Sequence, residues 1–157
     1  MTDYLDVISL EQAKLYLKID EGQDATDDEI TQMIASSLSF IERKTNHIFK
    51  TREKVYYKDC ALVNHATVYD YPIINDPESE EFINNIVYRI NKAIVPTVNG
   101  FVTLTIGYDD IEDIPMELID CALQIINFWF YNSETKNSVN SIPDFVMEAI
   151  NQNRRFV

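Results

Sequence analysis

Hydrophobic residues near the N-terminus recur at intervals of three and four positions, as they do on one face of an α-helix. A first helix is predicted over 9–17, where a Ser-x-x-Gln pattern marks its start. A second is predicted over 26–46, with Thr26 and Glu29 as a capping box. Its apolar side consists of Ile30, Met33, Ile34, Ser37, Leu38 and Ile41. The chain therefore opens with two helices joined by an acidic loop.

Between positions 48 and 108 the pattern changes to β-branched and aromatic residues, which favour strands. The segments predicted to form strands are TREKVYYKD, ATVYDYPII, NIVYRIN and FVTLTIGY, and the last alternates most regularly. Turn-forming residues in NDPESEEFIN and VPTVNG separate them. We expect a small antiparallel sheet or barrel-like unit, with an exposed acidic loop at 75–84.

Helical spacing returns near the C-terminus, in segments that begin with Pro115 and Pro143. Proline is favoured at the first position of a helix, so helices are predicted over 115–131 and from 143 onwards. On the first, the positions predicted to be buried are Leu118, Ile119, Ala122, Ile125, Ile126 and Trp129. A polar stripe runs along its opposite side, through Glu117, Asp120, Gln124 and Asn127. A membrane-spanning helix would not carry that stripe, so this helix is predicted to lie in a protein core.

The last helix is predicted to turn Val146, Met147 and Ile150 inward. The element order α-α-β-β-β-β-α-α predicts an α+β protein, mainly α. In it, a bundle of two N-terminal and two C-terminal helices carries a β-rich middle insertion. A length of 157 residues favours one domain over 1–157. Its parts would be N-terminal helices (1–47), insertion (48–108), and C-terminal helices with a tail (109–157).

The formal net charge of −13 bears on the choice of partners. An acidic surface repels phosphate backbones, which disfavours nucleic-acid binding as the main task and suits a surface past which DNA slides. The acidic N-terminus has no signal-peptide pattern, so secretion is not expected. Cys60 and Cys121 form no Cys-x-x-Cys pair and are expected to be buried, free thiols.

The segment GYDDIEDIP carries four closely spaced carboxylates, Asp109, Asp110, Glu112 and Asp113. A calcium loop needs oxygen ligands at alternating positions and a closing glutamate, and neither this segment nor the loop after Asp20 has that spacing. We interpret the four acids as a turn before the helix over 115–131, facing its positive end.

The histidines and glycines do not indicate a metal site or a phosphate-binding loop either. His47 and His65 have no ligand partners at metal-binding spacing, and three glycines cannot build a phosphate loop. Gly107 is expected to allow the backbone to turn after the last strand. We predict no catalytic residue, no metal site and no cofactor, and hence a protein that is not an enzyme.

Four consecutive aromatic residues end the helix over 115–131, and consecutive helical positions point all around the axis. Part of the set, Phe128, Phe130 and Tyr131, is therefore a candidate subunit interface. The alternative is that the last helix covers them.

The order of these elements resembles the bacteriophage head–tail connector (adaptor) family, whose members sit beneath the portal. The opening resemblance lies in VISLEQAKLYLKID and DDEITQMIASSLSFIERKTN, through Leu10, Ala13, Leu17, Lys44, Thr45 and Asn46. The segment YPII at 71–74 resembles the family's proline-bearing strand. The closing pattern is Gly107, Tyr108, Ile114, Pro115, Ala122, Trp129, Tyr131, Ile142 and Pro143. Residues 75–100 fit the family pattern poorly.

The resemblance implies a structural virion protein that forms a cyclic, twelvefold ring, joins the portal to the tail and extends the DNA channel. Its implied partners are copies of itself, the portal, tail or further connector proteins, and double-stranded DNA that passes without specific binding, with no membrane. It implies a location at the head–tail interface of the virion after assembly in the host cytoplasm. In this family terminal segments grip the portal, which implies that role for Arg154, Arg155, Phe156 and Val157.

The main alternative is a helix-turn-helix DNA-binding protein, such as a terminase small subunit or a phage regulator. A helix that reads bases needs Arg, Lys, Asn or Gln towards the groove. The helix over 26–45 starts with three acids and gains Arg43 and Lys44 only at its far end, which disfavours that role.

Overall fold

The computed structural model describes residues 3–19, 26–74, 86–89, 92–132 and 142–154. These residues form an α+β fold, mainly α, as predicted. Its α-helices are α1 (Tyr4–Val7), α2 (Leu10–Leu17), α3 (Asp27–Thr45), α4 (Met116–Tyr131) and α5 (Asp144–Gln152). The strands are β1 (Arg52–Tyr57), β2 (His65–Val68), β3 (Val87–Tyr88), β4 (Ala93–Pro96) and β5 (Phe101–Ile106).

The N-terminal helices start by different means. The Ser9 hydroxyl accepts a hydrogen bond from the Gln12 backbone N–H at 3.1 Å, which confirms the predicted start of α2. The capping box predicted for Thr26 is wrong, because its backbone has ψ near 1° rather than an extended value and its hydroxyl makes no cap bond. Instead, Asp27 in the first turn of α3 accepts from Lys14 Nζ at 2.7 Å, which ties α3 to α2.

Short features at the helix ends depart from prediction by small amounts. The four-residue α1 was not predicted; a capping box between Asp3 and Asp6 forms it. Pro115 and Pro143 occupy the cap position with extended ψ, one residue before the helix rather than inside it. The last helix ends at Gln152.

The helices enclose one hydrophobic core. Its fully buried members are Ile8, Ala13, Ile30, Ile34, Leu38, Ile41, Phe49, Leu118, Ala122, Ile125, Ile126 and Ile150. The buried side of α4 is as predicted except for Trp129, which is only partly buried. On α5, Val146 and Ile150 are buried and Met147 is partly buried.

The strands form two antiparallel sheets, of order β1-β5 and β2-β4-β3. The β1–β5 register pairs Val55 with Thr103 and Tyr57 with Phe101. Strand β5 alternates between buried and exposed residues, as predicted. The sequence analysis did not predict strand β4, because it is four residues long and ends in a proline, which is typical of turns. Strand β4 pairs with β2, which is distant in the sequence. The predicted acidic loop over 75–84 lies outside the described residues.

The sheets have their own buried cluster, which includes Val68, Val95, Leu104 and Ile106. Gly107 connects β5 to the helices with φ of +119°, and a Cβ there would lie 2.8 Å from Thr51 Cα. A left-handed conformation and so close a backbone both require glycine, which confirms the prediction for this residue.

Candidate assembly surfaces

The acidic turn before α4 is a capped surface turn. The Asp110 carboxylate accepts from the Glu112 backbone N–H at 3.0 Å and starts a single 3-10 turn over Ile111–Asp113. Asp109 and its three acidic neighbours are all exposed. Among the residues that the structure describes, no group of three His, Cys, Asp or Glu side chains is placed to hold a metal ion.

The two histidines have different surroundings. Buried His47 shares a 2.6 Å hydrogen bond between its Nδ1 and the Tyr108 hydroxyl, so it is a satisfied core residue. His65 is partly exposed, with Nε2 3.6 Å from the Asp59 carboxylate. His47 is therefore a structural side chain and His65 a surface one.

The two cysteines also differ. Cys121 is buried in α4 as predicted, and burial raises the pKa of its thiol. The prediction for Cys60 is wrong: its thiol is exposed, because it lies in the surface turn between β1 and β2. Both cysteines are free.

A buried carboxylate joins the helices to the sheets. Glu42 near the end of α3 is 5% exposed, and its Oε1 accepts from the backbone N–H groups of Phe49 at 2.7 Å and Lys50 at 3.1 Å. Its Oε2 accepts from the Tyr4 hydroxyl at 2.9 Å, and Arg52 Nη1 lies 3.4 Å away. Burial, followed by the Glu42 charge, raises the pKa of Tyr4 to about 12. This network fixes the chain where α3 leads into β1.

The aromatic end of α4 divides between core and surface. Trp129 and Phe130 pack against the helical core. Tyr131 is 62% exposed, and its hydroxyl donates to the Leu17 carbonyl at 2.7 Å. Phe128 is partly buried. Of the three predicted interface residues, Tyr131 is thus the one that is mostly exposed, although its hydroxyl is bonded to the end of α2.

A second apolar surface, which the sequence did not indicate, lies on the two-stranded β1–β5 sheet. One of its sides covers the sheet cluster with Val102, Leu104 and Ile106. The opposite side, which we call the ribbon face, consists of Val55, Tyr57, Phe101 and Thr103. All four are exposed, and Tyr57 is 74% exposed opposite Phe101. Exposed patches of large apolar side chains mark interaction sites.

Charge is distributed unevenly along the chain. Six Lys or Arg residues and one Glu occur between Arg43 and Lys58, the segment that includes β1. By contrast, six Asp or Glu residues and no Lys or Arg occur between Gly107 and Tyr131. The protein is therefore acidic overall, with a net charge of −13, but contains one basic segment between Arg43 and Lys58.

The C-terminal segment is anchored up to Asn153. Its side-chain Nδ2 donates to Glu117 Oε2 at 2.9 Å, which holds the end of α5 beside the start of α4. Arg154 is exposed, and its backbone N–H donates to the Asn151 carbonyl. Arg155, Phe156 and Val157, the other residues predicted to grip the portal, lie outside the described residues.

The outer side of α3 bears on the DNA-binding alternative. Its exposed residues are Asp28, Glu29, Gln32, Ser36, Arg43 and Lys44. The half nearer the N-terminus, which contacts bases in a helix-turn-helix, carries two acids, and this disfavours a reading helix. None of the helices in the described residues is long and apolar enough to cross a membrane.

No protein family and no curated protein sequence matches the chain. Solved structures do match it in fold. A chain of the "Neck of empty GTA particle computed with C6 symmetry" aligns with a TM-score of 0.70 and 12% identity, over 96% of this chain and 91% of that one. A chain of the "Virion of native gene transfer agent (GTA) particle" aligns with a TM-score of 0.70 and 12% identity, over 100% and 93%. At this identity the likeness shows a shared fold.

Proposed function

We propose that this protein is a structural component of the neck of a phage-like particle. In this role it is a subunit of a ring that joins the portal to the tail and extends the DNA channel. The observation that carries the proposal is the fold likeness to neck and virion chains of a gene transfer agent, which extends over nearly the whole length of both chains. The order of sequence motifs that resembles the head–tail connector family independently supports the same assignment.

A closed ring needs two different contact surfaces on each subunit, because one surface of each copy meets another surface of the next. Exposed apolar side chains on both the helices and the sheets are compatible with that requirement. The aromatic end of α4, with Phe128, Phe130 and Tyr131, is one proposed contact. A twelvefold ring contains sixfold symmetry, so the C6 symmetry of the matched neck is compatible with six or twelve copies.

The acidic character of the chain fits passage of DNA through the ring. Each cationic contact to a phosphate backbone strengthens binding to DNA, and tight binding would retard its movement. We therefore propose that DNA passes without specific binding and that the protein acts in the virion without catalysis.

For the contact with the portal we propose the C-terminal residues Arg154, Arg155, Phe156 and Val157. Arginines pair with carboxylates, and an aromatic side chain can fill a pocket on a partner. Because Asn153 bonds to Glu117, the truncation that tests this proposal starts at Arg154 and leaves α5 intact. It should leave the melting temperature nearly unchanged and weaken co-purification with the portal. Unchanged co-purification would contradict this contact.

The ring itself is tested by measuring particle mass in solution, by sedimentation or native mass spectrometry. The chain has a mass of 18.3 kDa, so six copies weigh about 110 kDa and twelve about 220 kDa. The measurement is made at rising protein concentration, alone and with the portal, because assembly follows mass action. A chain that stays monomeric under both conditions would contradict the proposal.

A further inference from the structure

We propose that a groove beside the acidic turn binds the C-terminal residues Arg155 and Phe156 of the same chain. The groove, which we call the turn groove, has a volume of about 520 Å³. It is lined by residues of two chain segments, namely Tyr71, Ile73, Ile74, Gly107, Asp109 and Asp113. The inference goes beyond the proposed neck function, because it gives the C-terminal segment a binding site within its own subunit.

The turn groove forms where the segment YPII at 71–74 lies along the end of β5. The Ile74 N–H donates to the Thr105 carbonyl at 3.0 Å. The Gly107 N–H donates to the Pro72 carbonyl at 2.9 Å. These hydrogen bonds fix both segments, so the groove does not have to form when a ligand binds. All four side chains at 71–74 are partly exposed, so they leave apolar surface for a ligand to cover.

The second lining segment gives the turn groove its charge. Asp109 and Asp113 are both exposed, and in the described part of the chain neither side chain takes part in a hydrogen bond or an ion pair. Asp110, which caps the turn, does not line the groove. Two carboxylates beside an apolar wall fit a ligand in which an arginine is followed by an apolar side chain.

The residues after α5 supply this combination. Arg154 and Arg155 are the only adjacent arginines in the sequence, and Phe156 and Val157 follow them. A guanidinium group pairs with carboxylates through charge-assisted hydrogen bonds, and an aromatic side chain covers apolar surface. The segment therefore matches the turn groove in both charge and apolarity.

The segment also starts at the right place. Asn153 bonds to Glu117 at 2.9 Å, and Asp113 precedes Glu117 by four residues at the end of the 3-10 turn. Four residues reach at most about 14 Å, which suffices for a site beside the start of α4. Trp129, at the other end of α4, lies roughly 18 Å from Glu117 at 1.5 Å per residue, so a groove there is out of reach.

The short connection favours the groove of the same copy over that of a neighbour. A segment on a short flexible connection meets its site at an effective concentration on the order of mM, so even a weak contact is occupied most of the time. A partner that binds the segment more tightly, such as the proposed portal contact, would displace it. The turn groove would thus hold the segment until that partner arrives.

The test compares the full chain with a chain that ends at Asn153, which keeps α5 and its bond to Glu117. Circular dichroism and thermal melting would verify that both fold. The probe is a peptide of residues 151–157 with a fluorophore at its N-terminus, and fluorescence anisotropy measures its binding. The truncated chain should bind the peptide. The full chain should bind it at least about threefold more weakly, because its own segment competes for the groove.

Variants of the truncated chain locate the contact. Asp109→Asn combined with Asp113→Asn should weaken peptide binding at least about fivefold and remove most of its dependence on salt. Glu112→Gln is the matched control, since Glu112 is an exposed carboxylate of the same turn that does not line the groove; it should weaken binding less than about twofold. A peptide with Phe156→Ala should also bind more weakly to the unchanged truncated chain.

Four results would overturn the inference. The peptide binds neither chain, or it binds both equally well, or Glu112→Gln weakens binding as much as the double variant does. In the fourth, the full chain excludes the peptide only at concentrations at which it assembles, which would assign the groove to a neighbour's segment. The proposed ring and portal contact are tested separately, by particle mass and co-purification, so either proposal can fail alone.

Discussion

Replacing Glu42 with alanine should destabilise the protein severely, because it leaves backbone donors without an acceptor. The carboxylate accepts four donors, of which the Phe49 N–H is buried and the Lys50 N–H partly buried. A buried donor left without a partner costs about 1–3 kcal/mol, and hydrogen bonds to a charged group are at the upper end of that range. Tyr4 and Arg52 lie nearer to solvent and can turn to water. We therefore expect a loss of about 3–4 kcal/mol, a large part of the total stability of a small domain.

Glu42→Gln provides the first comparison. The amide oxygen can still accept from Phe49 and Lys50, whereas the NH2 group faces the Tyr4 hydroxyl and the Arg52 guanidinium. The expected loss is about half that of Glu42→Ala, because the buried donors stay paired. Glu53→Ala is the control on the exposed part of β1 and should change the free energy of unfolding by no more than about 0.5 kcal/mol.

The assay is urea-induced unfolding followed by circular dichroism, with the slope m compared among variants. A loss below about 1 kcal/mol for Glu42→Ala would refute the reasoning, because the Phe49 N–H would then have found another partner. Equal losses of stability for the alanine and glutamine variants would also refute it, because the glutamine oxygen would then not replace the carboxylate as the acceptor for Phe49 and Lys50.

The same network predicts a dependence on high pH. The folded-state pKa of Tyr4, about 12, exceeds the ordinary value of 10.0, so the folded protein holds this proton more tightly than the unfolded chain does. Its contribution to stability is complete below pH 10 and falls as the pH rises through 12. In Tyr4→Phe that part of the decline should disappear, which unfolding measured at several pH values between 9 and 12 would show.

Three further outcomes are expected. Gly107→Ala should lower the free energy of unfolding by at least about 2 kcal/mol, because of backbone strain and overlap with Thr51. Gly100→Ala should lower it less, because the new Cβ would meet only the Lys58 side chain at 3.6 Å. Denaturation curves of the two variants provide the test. Ile126→Asp, which buries an unpaired carboxylate in α4, should lose several kcal/mol and fail to accumulate as soluble folded protein. Calorimetry with calcium or magnesium should show no stoichiometric site tighter than about 10 µM, because the acidic turn lacks ligand spacing.

The helical part of the fold was predictable because its signals are local. The apolar spacing of α3 and α4, the cap at Ser9 and the two prolines lie within a few residues of the features they control. The error at Thr26 also comes from a local signal. The sequence has the pattern of a helix cap there, but the backbone does not adopt the extended conformation that a cap needs. A capping pattern in the sequence shows where a helix can start, but it does not determine the backbone dihedral angles at that position.

The sheets and the assembly surfaces were harder to predict, because they depend on pairing between distant residues. Nothing near Ala93 indicates that β2 will pair with β4. Tyr57 and Phe101 form one exposed patch only because the β1–β5 register places them opposite each other. The Glu42 network also joins residues from α1, α3 and β1. Its one sign in the sequence is that Glu42, a charged residue, follows Ile41 at a position of α3 where the helical spacing predicts an apolar residue.

The position of Glu42 and Gly107 connects stability to the proposed assembly. The ribbon face belongs to the sheets and the aromatic end of α4 to the helices, so the angle between these two exposed surfaces depends on the two chain crossings between sheets and helices. Glu42 holds one crossing through the Phe49 N–H, and at the other the Thr51 hydroxyl donates to the Tyr108 carbonyl at 3.0 Å. Each subunit of a closed ring repeats the same rotation, so an error in that angle accumulates around the ring and prevents closure. Variants at this junction that still fold should therefore assemble into open or irregular oligomers.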